Sequence, residues 1–335
     1  MYQSNFNNSL ESVRRKYRLP ALACASVELK GIVSIGFVGY RKFGRKVPIS
    51  HDDKFHIGSC TKLMTATLST LLVSEGKIGW DTTLGEVLEN FSTKMQPGYR
   101  RVTLKQLLLF QGGIPSFQNL SLVLSIYKLR GLDLQGGRQE LVSRVLKSAP
   151  KFEAGTASLY SNESYVLAGA MLERVTNKTW EKLLQERLFG PLHMSSAGFG
   201  PPASPGRIDN PWGHIILPIL YNLKLTIPKD PRWWADVPSA MGPAGTVHCS
   251  ISDFAKYALY RLRASLGLEA QLIEEPFNNG QLAIRGFGSN MMFCAGILIL
   301  PREKRAIVAC TNAGANIGIP ACQEAFDLIG KRMNH

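Results

Sequence analysis

The chain has 335 residues, of which 45% are apolar and 19% charged. Those proportions exclude a disordered chain, a coiled coil and a collagen-like fibre, and the length suggests about two domains. Thirty-nine Lys and Arg against 25 Asp and Glu leave a formal charge of +14, which raises binding to nucleic acid or to an anionic surface.

Leu10, Val13 and Tyr17 fall at helical spacing and predict a helix over 8–18. Leu22 to Leu29 and Ile32 to Tyr40 read as two strands joined at Lys30-Gly31, a β-hairpin. A turn around Gly44 leads to a short strand at Lys54 to Ile57. Gly58 ends that strand, and Thr61 to Glu75 predicts a helix apolar on most of its circumference, hence a buried one. Helices are then expected over Thr103 to Phe110, Gln139 to Lys147, Tyr165 to Thr176 and Trp180 to Phe189. The proline-rich stretch Pro201 to Pro231 reads as irregular. Ser252 to Leu266 predicts a helix with Ser252 as its cap. Met291 to Leu300 and Ala306 to Thr311 read as a strand pair, and Pro320 to Met333 as a closing helix. The fold class expected is α+β: an antiparallel sheet flanked by helices and built from both chain ends. The sheet domain would comprise residues 1–75 and 240–335, with a mainly helical insert at 76–239.

The basic residues gather in short runs: Arg14 to Lys16 with Arg18, Arg41-Lys42 with Arg45-Lys46, Arg100-Arg101, and Arg302 to Arg305. None forms a helix-turn-helix, zinc-finger or aromatic-basic RNA pattern, so they read as solvated surface with no specific nucleic-acid partner. Six cysteines lack metal or C-x-x-C spacing, and Cys24 and Cys310 sit in strand-like stretches as reduced core residues. The histidines have no metal-ligand spacing, and no metal or cofactor is expected. His248 reads as structural. No apolar run approaches a membrane span, and the segment Ile215 to Leu225 is interrupted by Pro218. With no leader-like opening segment the expectation is a cytoplasmic protein, or a periplasmic or secreted one if a leader is removed.

A serine followed three residues later by lysine on a helix brings amine and hydroxyl to one side, and burial makes the lysine a usable base. The pattern occurs four times, at Ser59/Lys62, Ser74/Lys77, Ser125/Lys128 and Ser148/Lys151. Ser74 precedes Gly76 at a helix end, Ser148 precedes Ala149-Pro150, and Ser125 lies among ordinary surface lysines. Only Ser59 follows a strand and a glycine and opens a buried helix, where free backbone N–H groups can bind an oxyanion. A plain helix cap is the competing reading of Ser59. Tyr160-Ser161-Asn162 can put a phenol and an amide into the same cleft, the phenol to relay protons and the amide to hold the lysine or a substrate carbonyl. The competing reading makes Asn162 the cap of the following helix.

Together, Phe55-His56-Ile57-Gly58-Ser59-Cys60-Thr61-Lys62 and Tyr160-Ser161-Asn162 resemble motifs of the serine β-lactamase and penicillin-binding-protein superfamily, nearest its class C β-lactamase-like branch with related esterases and D-peptidases. Trp80 to Leu84, Val102 to Leu108, Gly242 to Ser250 and Gly288-Ser289-Asn290 resemble further segments in the same order, so the resemblance spans about residues 10–330. It implies Ser59 as nucleophile, Lys62 as its base or proton partner and Tyr160 as general acid/base. It further implies Asn162, Gly288 and Ser289 as substrate-binding residues, with the N–H groups of Ser59 and Ser289 as oxyanion hole. The substrate implied is a small ester, amide or β-lactam-like molecule, and the alternative is an impaired homologue that binds peptide or cell-wall fragments without turnover.

Three departures bear on the substrate. Gly286-Phe287-Gly288 stands where relatives carry Lys or His first, and Arg285 is one residue out of register. Phe110-Gln111-Gly112-Gly113 replaces a His-Thr-Ser-Gly turn, and the stretch 253–286 is short enough to leave the sheet a strand down. Substrates that depend on their carboxylate, β-lactams especially, are disfavoured more than esters.

Overall fold

Alternating apolar side chains on both faces of three strands decide the architecture, because such strands stay dry only between two helical layers. The computed structural model describes residues 2–116, 134–218, 224–231, 236–267 and 283–332. In β1 (Ala21–Glu28), Ala21, Ala23, Ala25 and Val27 join one buried cluster, while Leu22 and Cys24 join another. The strands β9 (Cys294–Leu300) and β10 (Arg305–Thr311) divide in the same way. With β2 (Gly31–Gly39) and β8 (Ile284–Ser289) they form a five-stranded antiparallel sheet in the order β2-β1-β10-β9-β8. Both chain ends thus contribute, as expected.

One face is covered by helix α1 (Tyr2–Tyr17), through Phe6, Leu10 and Val13, and by the C-terminal helix (Ala315–Arg332), through Ala321, Cys322 and Phe326. The other face packs on α2 (Thr61–Ser74) and on the helix Ile251–Ser265. Eleven of the 14 residues of α2 are buried, which explains its nearly uniform apolar surface. Helices Leu134–Lys147 and Asn162–Thr176 pack against one another beyond α2. There Arg138, 1% exposed, is charge-paired with Glu173 and Glu181. All six cysteines are buried and unpaired, Cys24 and Cys310 among them. Among the described residues no helix is long and apolar enough to cross a membrane.

Several local expectations need correction. Pro201–Pro231 contains an antiparallel pair, β5 (Gly213–Pro218) and β6 (Lys224–Lys229), which the prolines obscured. This pair is held to the sheet where His214 N–H donates to Met292 O at 2.9 Å and Trp212 N–H to Arg41 O at 2.8 Å. The helix read from Ser252 begins at Ile251, and its cap is Ser250, whose Oγ accepts the Asp253 N–H. The closing helix begins at Ala315 and continues through Pro320. The Ser125/Lys128 pair, and residues 268–282 of the stretch in which a missing strand was expected, lie outside the described residues.

Candidate active site

Phe55 and Ile57 are buried in the core, and they anchor the short strand β3 (Lys54–His56) that delivers Ser59. β3 pairs with β7 (Val247–Ser250), His56 opposite His248, and the two-residue strand β4 (Gly198–Phe199) pairs with β7 on its other side. Gly58 then adopts φ +52° and the chain makes one 3₁₀ turn, Gly58–Cys60, before α2. The glycine is obligatory twice over: its φ is left-handed, and a Cβ there would lie 2.2 Å from Ser289 N. Opposite it, a Cβ on Gly288 would lie 2.2 Å from Ile57 O, 2.4 Å from Cys60 N and 2.6 Å from Ser59 N. Edge strand β8 therefore sits backbone-to-backbone on the turn that carries Ser59. The backbones of Ser59 and Ser289 flank one spot.

Lys62 follows one helical turn later and is 5% exposed. Its Nζ lies 3.1 Å from Ser59 Oγ, 2.7 Å from Asn162 Oδ1 and 2.7 Å from Ala244 O. Burial brings its pKa down to about 7, partly opposed by the nearby Glu163 carboxylate. Asn162 Oδ1 and Ala244 O can only accept, so the two hydrogens of a neutral amine go to them. Its lone pair then faces the Ser59 hydroxyl. Tyr160 OH lies 2.9 Å from Ser59 Oγ and 3.4 Å from Asn162 Oδ1. Burial raises the phenol's pKa, partly offset by its hydrogen bond with Ser59, so it stays protonated at neutral pH. In the neutral-amine state the chain of donors runs from Tyr160 O–H to Ser59 Oγ and from Ser59 O–H to Lys62 Nζ.

Ser161, not Asn162, caps the helix Asn162–Thr176, its Oγ accepting the Ser164 N–H. That leaves the Asn162 amide for Lys62. Phe110, at φ +59°, packs its ring 4.9 Å from that of Tyr160 and 5.3 Å from that of Tyr165. The turn that departs from Ser/Thr chemistry thus supplies an aromatic wall to the phenol. The side chain of Ser289 is committed elsewhere: its Oγ donates to Phe293 O at 2.6 Å and accepts from Met291 N–H. Only its backbone faces Ser59. Along β8, Gly286 faces Leu63 and Ile297, whereas Phe287 stacks on Phe326 across the sheet. Arg285 alternates onto the Phe287 side, away from the nucleophile turn, and does not replace the missing cation.

Residues not singled out from the sequence complete the site. The Ala244 carbonyl is a backbone group without a sequence signature. His56, fully buried, accepts the Gly58 N–H at Nδ1 (3.0 Å), and its Nε2 lies 2.9 Å from Asp236 Oδ1. Gly58 N–H can only donate, so the imidazole proton belongs on Nε2. Asp236 Oδ1 also accepts from Asn290 Nδ2 at 3.3 Å, and Asn290 Oδ1 accepts the Met292 and Phe293 N–H groups. This buried relay ties the Ser59 turn to the β8–β9 turn. His56→Leu removes one partner from a buried carboxylate and from a buried N–H, and the expected loss is about 2–4 kcal/mol of unfolding free energy. His56→Asn, which can still accept from Gly58, should lose less, both losses being read from urea denaturation.

Among known proteins, the chain is similar to penicillin-binding protein 4 of Amycolatopsis lactamdurans, 26% identical over 259 residues. That alignment covers 77% of this chain and 64% of the relative, and other curated relatives are covered to as little as 38% of their length. The fold is similar to that of the octameric penicillin-binding protein homologue from Pyrococcus abyssi, with a TM-score of 0.74 and 20% identity over 99% of this chain and 78% of that one. It is also similar to a D-stereospecific amidohydrolase from Streptomyces sp., with a TM-score of 0.71 and 19% identity over 97% of each chain. A sequence model of the Beta-lactamase family matches residues 6–314, nearly the whole chain. The chain therefore belongs to the Beta-lactamase family.

Proposed function

We propose that the protein is a serine hydrolase that forms an acyl-enzyme on Ser59, acting on small esters or amides without a required carboxylate. The observation that carries this reading is the contact of Lys62 Nζ with Ser59 Oγ, Asn162 Oδ1 and Ala244 O, on an amine with a pKa near 7. Ser59 Oγ attacks the carbonyl carbon as Lys62 takes its proton. The oxyanion that forms is held by the Ser59 and Ser289 N–H groups. Tyr160 gives its proton to the leaving oxygen or nitrogen and regains one from Lys62, which completes the ester on Ser59. Water then attacks that ester, its proton passing to the same groups, and the free acid leaves with Ser59 restored.

The substrate class follows from what β8 lacks. Gly286 presents no side chain where relatives place a cation, and Arg285 lies on the other face of the strand. An uncharged acyl donor loses nothing by this, whereas a β-lactam loses a partner for its carboxylate. The D-amidohydrolase and penicillin-binding-protein relatives support amide-type substrates beside esters.

The same glycine favours a second reading, a homologue that is acylated but releases its product poorly. Both are tested by following p-nitrophenyl esters, D-amino-acid amides and nitrocefin on wild type and Ser59→Ala. The expected result is multiple turnovers of ester, at least 10³-fold slower in Ser59→Ala, with nitrocefin cleaved far more slowly than ester. A stoichiometric burst without turnover selects the second reading, and equal rates in wild type and Ser59→Ala contradict both.

A further inference from the structure

The structure brings two of the basic runs to one place. Arg14, Arg15 and Arg18, from the end of α1, and Arg45 and Lys46, from the Gly44 turn, line a single cavity of about 560 Å³. Its wall also holds Tyr40 and Phe43, which are 42% and 56% exposed, and among the described residues lining it there is no carboxylate. Cations in the last turn of a helix complement its carbonyl end, and Arg14 is further employed in holding Leu19 O at 2.8 Å and Glu11. That accounts for Arg14 and in part for Arg15, which also meets Glu11. It does not account for Arg45 and Lys46, which line the same cavity from a different segment. Lys42, on the same turn, lies over the Trp212 ring and adds further positive charge.

We infer that this cavity is a binding site for a phosphate group, with the Arg45 guanidinium as its forked donor, Lys46 beside it, the α1 arginines adding positive charge, and Tyr40 and Phe43 as an apolar wall for whatever carries the phosphate. The site is independent of the Ser59 chemistry but is not placed at random relative to it. Ala21 pairs with Gly39, Leu22 with Thr311, Thr311 with Cys294 and Cys294 with Ser289. The cavity therefore opens at the same end of the sheet as Ser289, four strands across, or roughly 20 Å. A phosphate held there would bring its carrier to the end of the sheet on which Ser59 lies. The carrier is either a soluble phosphate ester or an anionic phospholipid, against whose interface Phe43 would pack.

The test is titration with pyrophosphate by calorimetry, and co-flotation with phosphatidylglycerol or phosphatidylcholine vesicles, at low and physiological salt. The variants are Arg45→Glu/Lys46→Glu and, as a control of equal charge change, Arg302→Glu/Lys304→Glu. The control turn joins β9 to β10 at the opposite end of the sheet, beside Arg305 and its partner Glu28. Binding of wild type that falls at least tenfold in the first variant and less than twofold in the control supports the site. Pyrophosphate binding without flotation assigns a soluble ester, whereas flotation with phosphatidylglycerol alone, weakened by Phe43→Ala, assigns the lipid. Equal loss in both double variants, or no response to either phosphate source, overturns the inference. So does retention on duplex DNA with neither phosphate source bound.

Discussion

Replacing Lys62 by methionine is expected to cut ester turnover by about 10³-fold and to remove the rise of activity through neutral pH. In wild type, kcat/KM should climb as Lys62 loses its proton near pH 7, because only the neutral amine can accept from Ser59. The same burial makes a thermodynamic prediction. The unfolded chain keeps the lysine proton up to the ordinary 10.5, the folded chain only to about 7, so between these values the unfolded state binds more protons. Stability contributed through Lys62 therefore rises with pH across that window, and the charged amine is a burden on the fold below it. The unfolding free energy of wild type relative to Lys62→Met should increase from pH 7 to pH 10, as read from urea denaturation at several pH values. Parallel pH curves for the two proteins would mean that Lys62 is not the desolvated amine described.

Gly288→Ala is expected to lose at least 100-fold in kcat/KM and about 2 kcal/mol or more of stability. The added methyl would meet Ile57 O, Cys60 N and Ser59 N, all backbone atoms of the nucleophile turn, at 2.2–2.6 Å. Backbone cannot swing aside as a flexible side chain can, so β8 must withdraw from the turn and take the Ser289 N–H with it. Gly286→Ala, two residues earlier on the same strand, is the internal control. Its methyl would sit 3.4 Å from Ile297 and Leu63, an ordinary contact, and its turnover should stay within threefold of wild type. Equal loss in the two variants would mean that the close approach at Gly288 has no bearing on the chemistry.

The reach of the sequence ends where contacts become long-range. Ser59 and Lys62 were readable because three residues along one turn fix their relation, and Gly58 because a strand must reverse into a helix there. Tyr160 and Asn162 were readable as a pair, but the choice between Asn162 as cap and as lysine partner depended on Ser161, whose own hydroxyl takes the capping role. Four strands of the central sheet, β1, β2, β9 and β10, were legible as apolar runs, whereas the glycine-broken β8 was placed only through the family resemblance. The β5–β6 pair was not, because Pro218 and Pro228 mark irregular chain in a local reading and only pairing partners reveal them as strand ends. The Ala244 carbonyl carries no side-chain signal, and the His56–Asp236–Asn290 relay joins residues 180 and 54 positions apart, which no local spacing encodes. The basic runs likewise looked like separate surface patches until α1 and the Gly44 turn brought two of them together.

The central claim is that Ser59 is a nucleophile activated by Lys62, and covalent labelling addresses it most directly. Wild type incubated with a fluorophosphonate at pH 8, digested and analysed by mass spectrometry should carry one phosphonyl group per chain, on the peptide containing Ser59. Ser59→Ala should carry none, and Lys62→Met should be labelled at least 100-fold more slowly. An unmodified Ser59 in wild type, or equal labelling of wild type and Lys62→Met, would contradict the account.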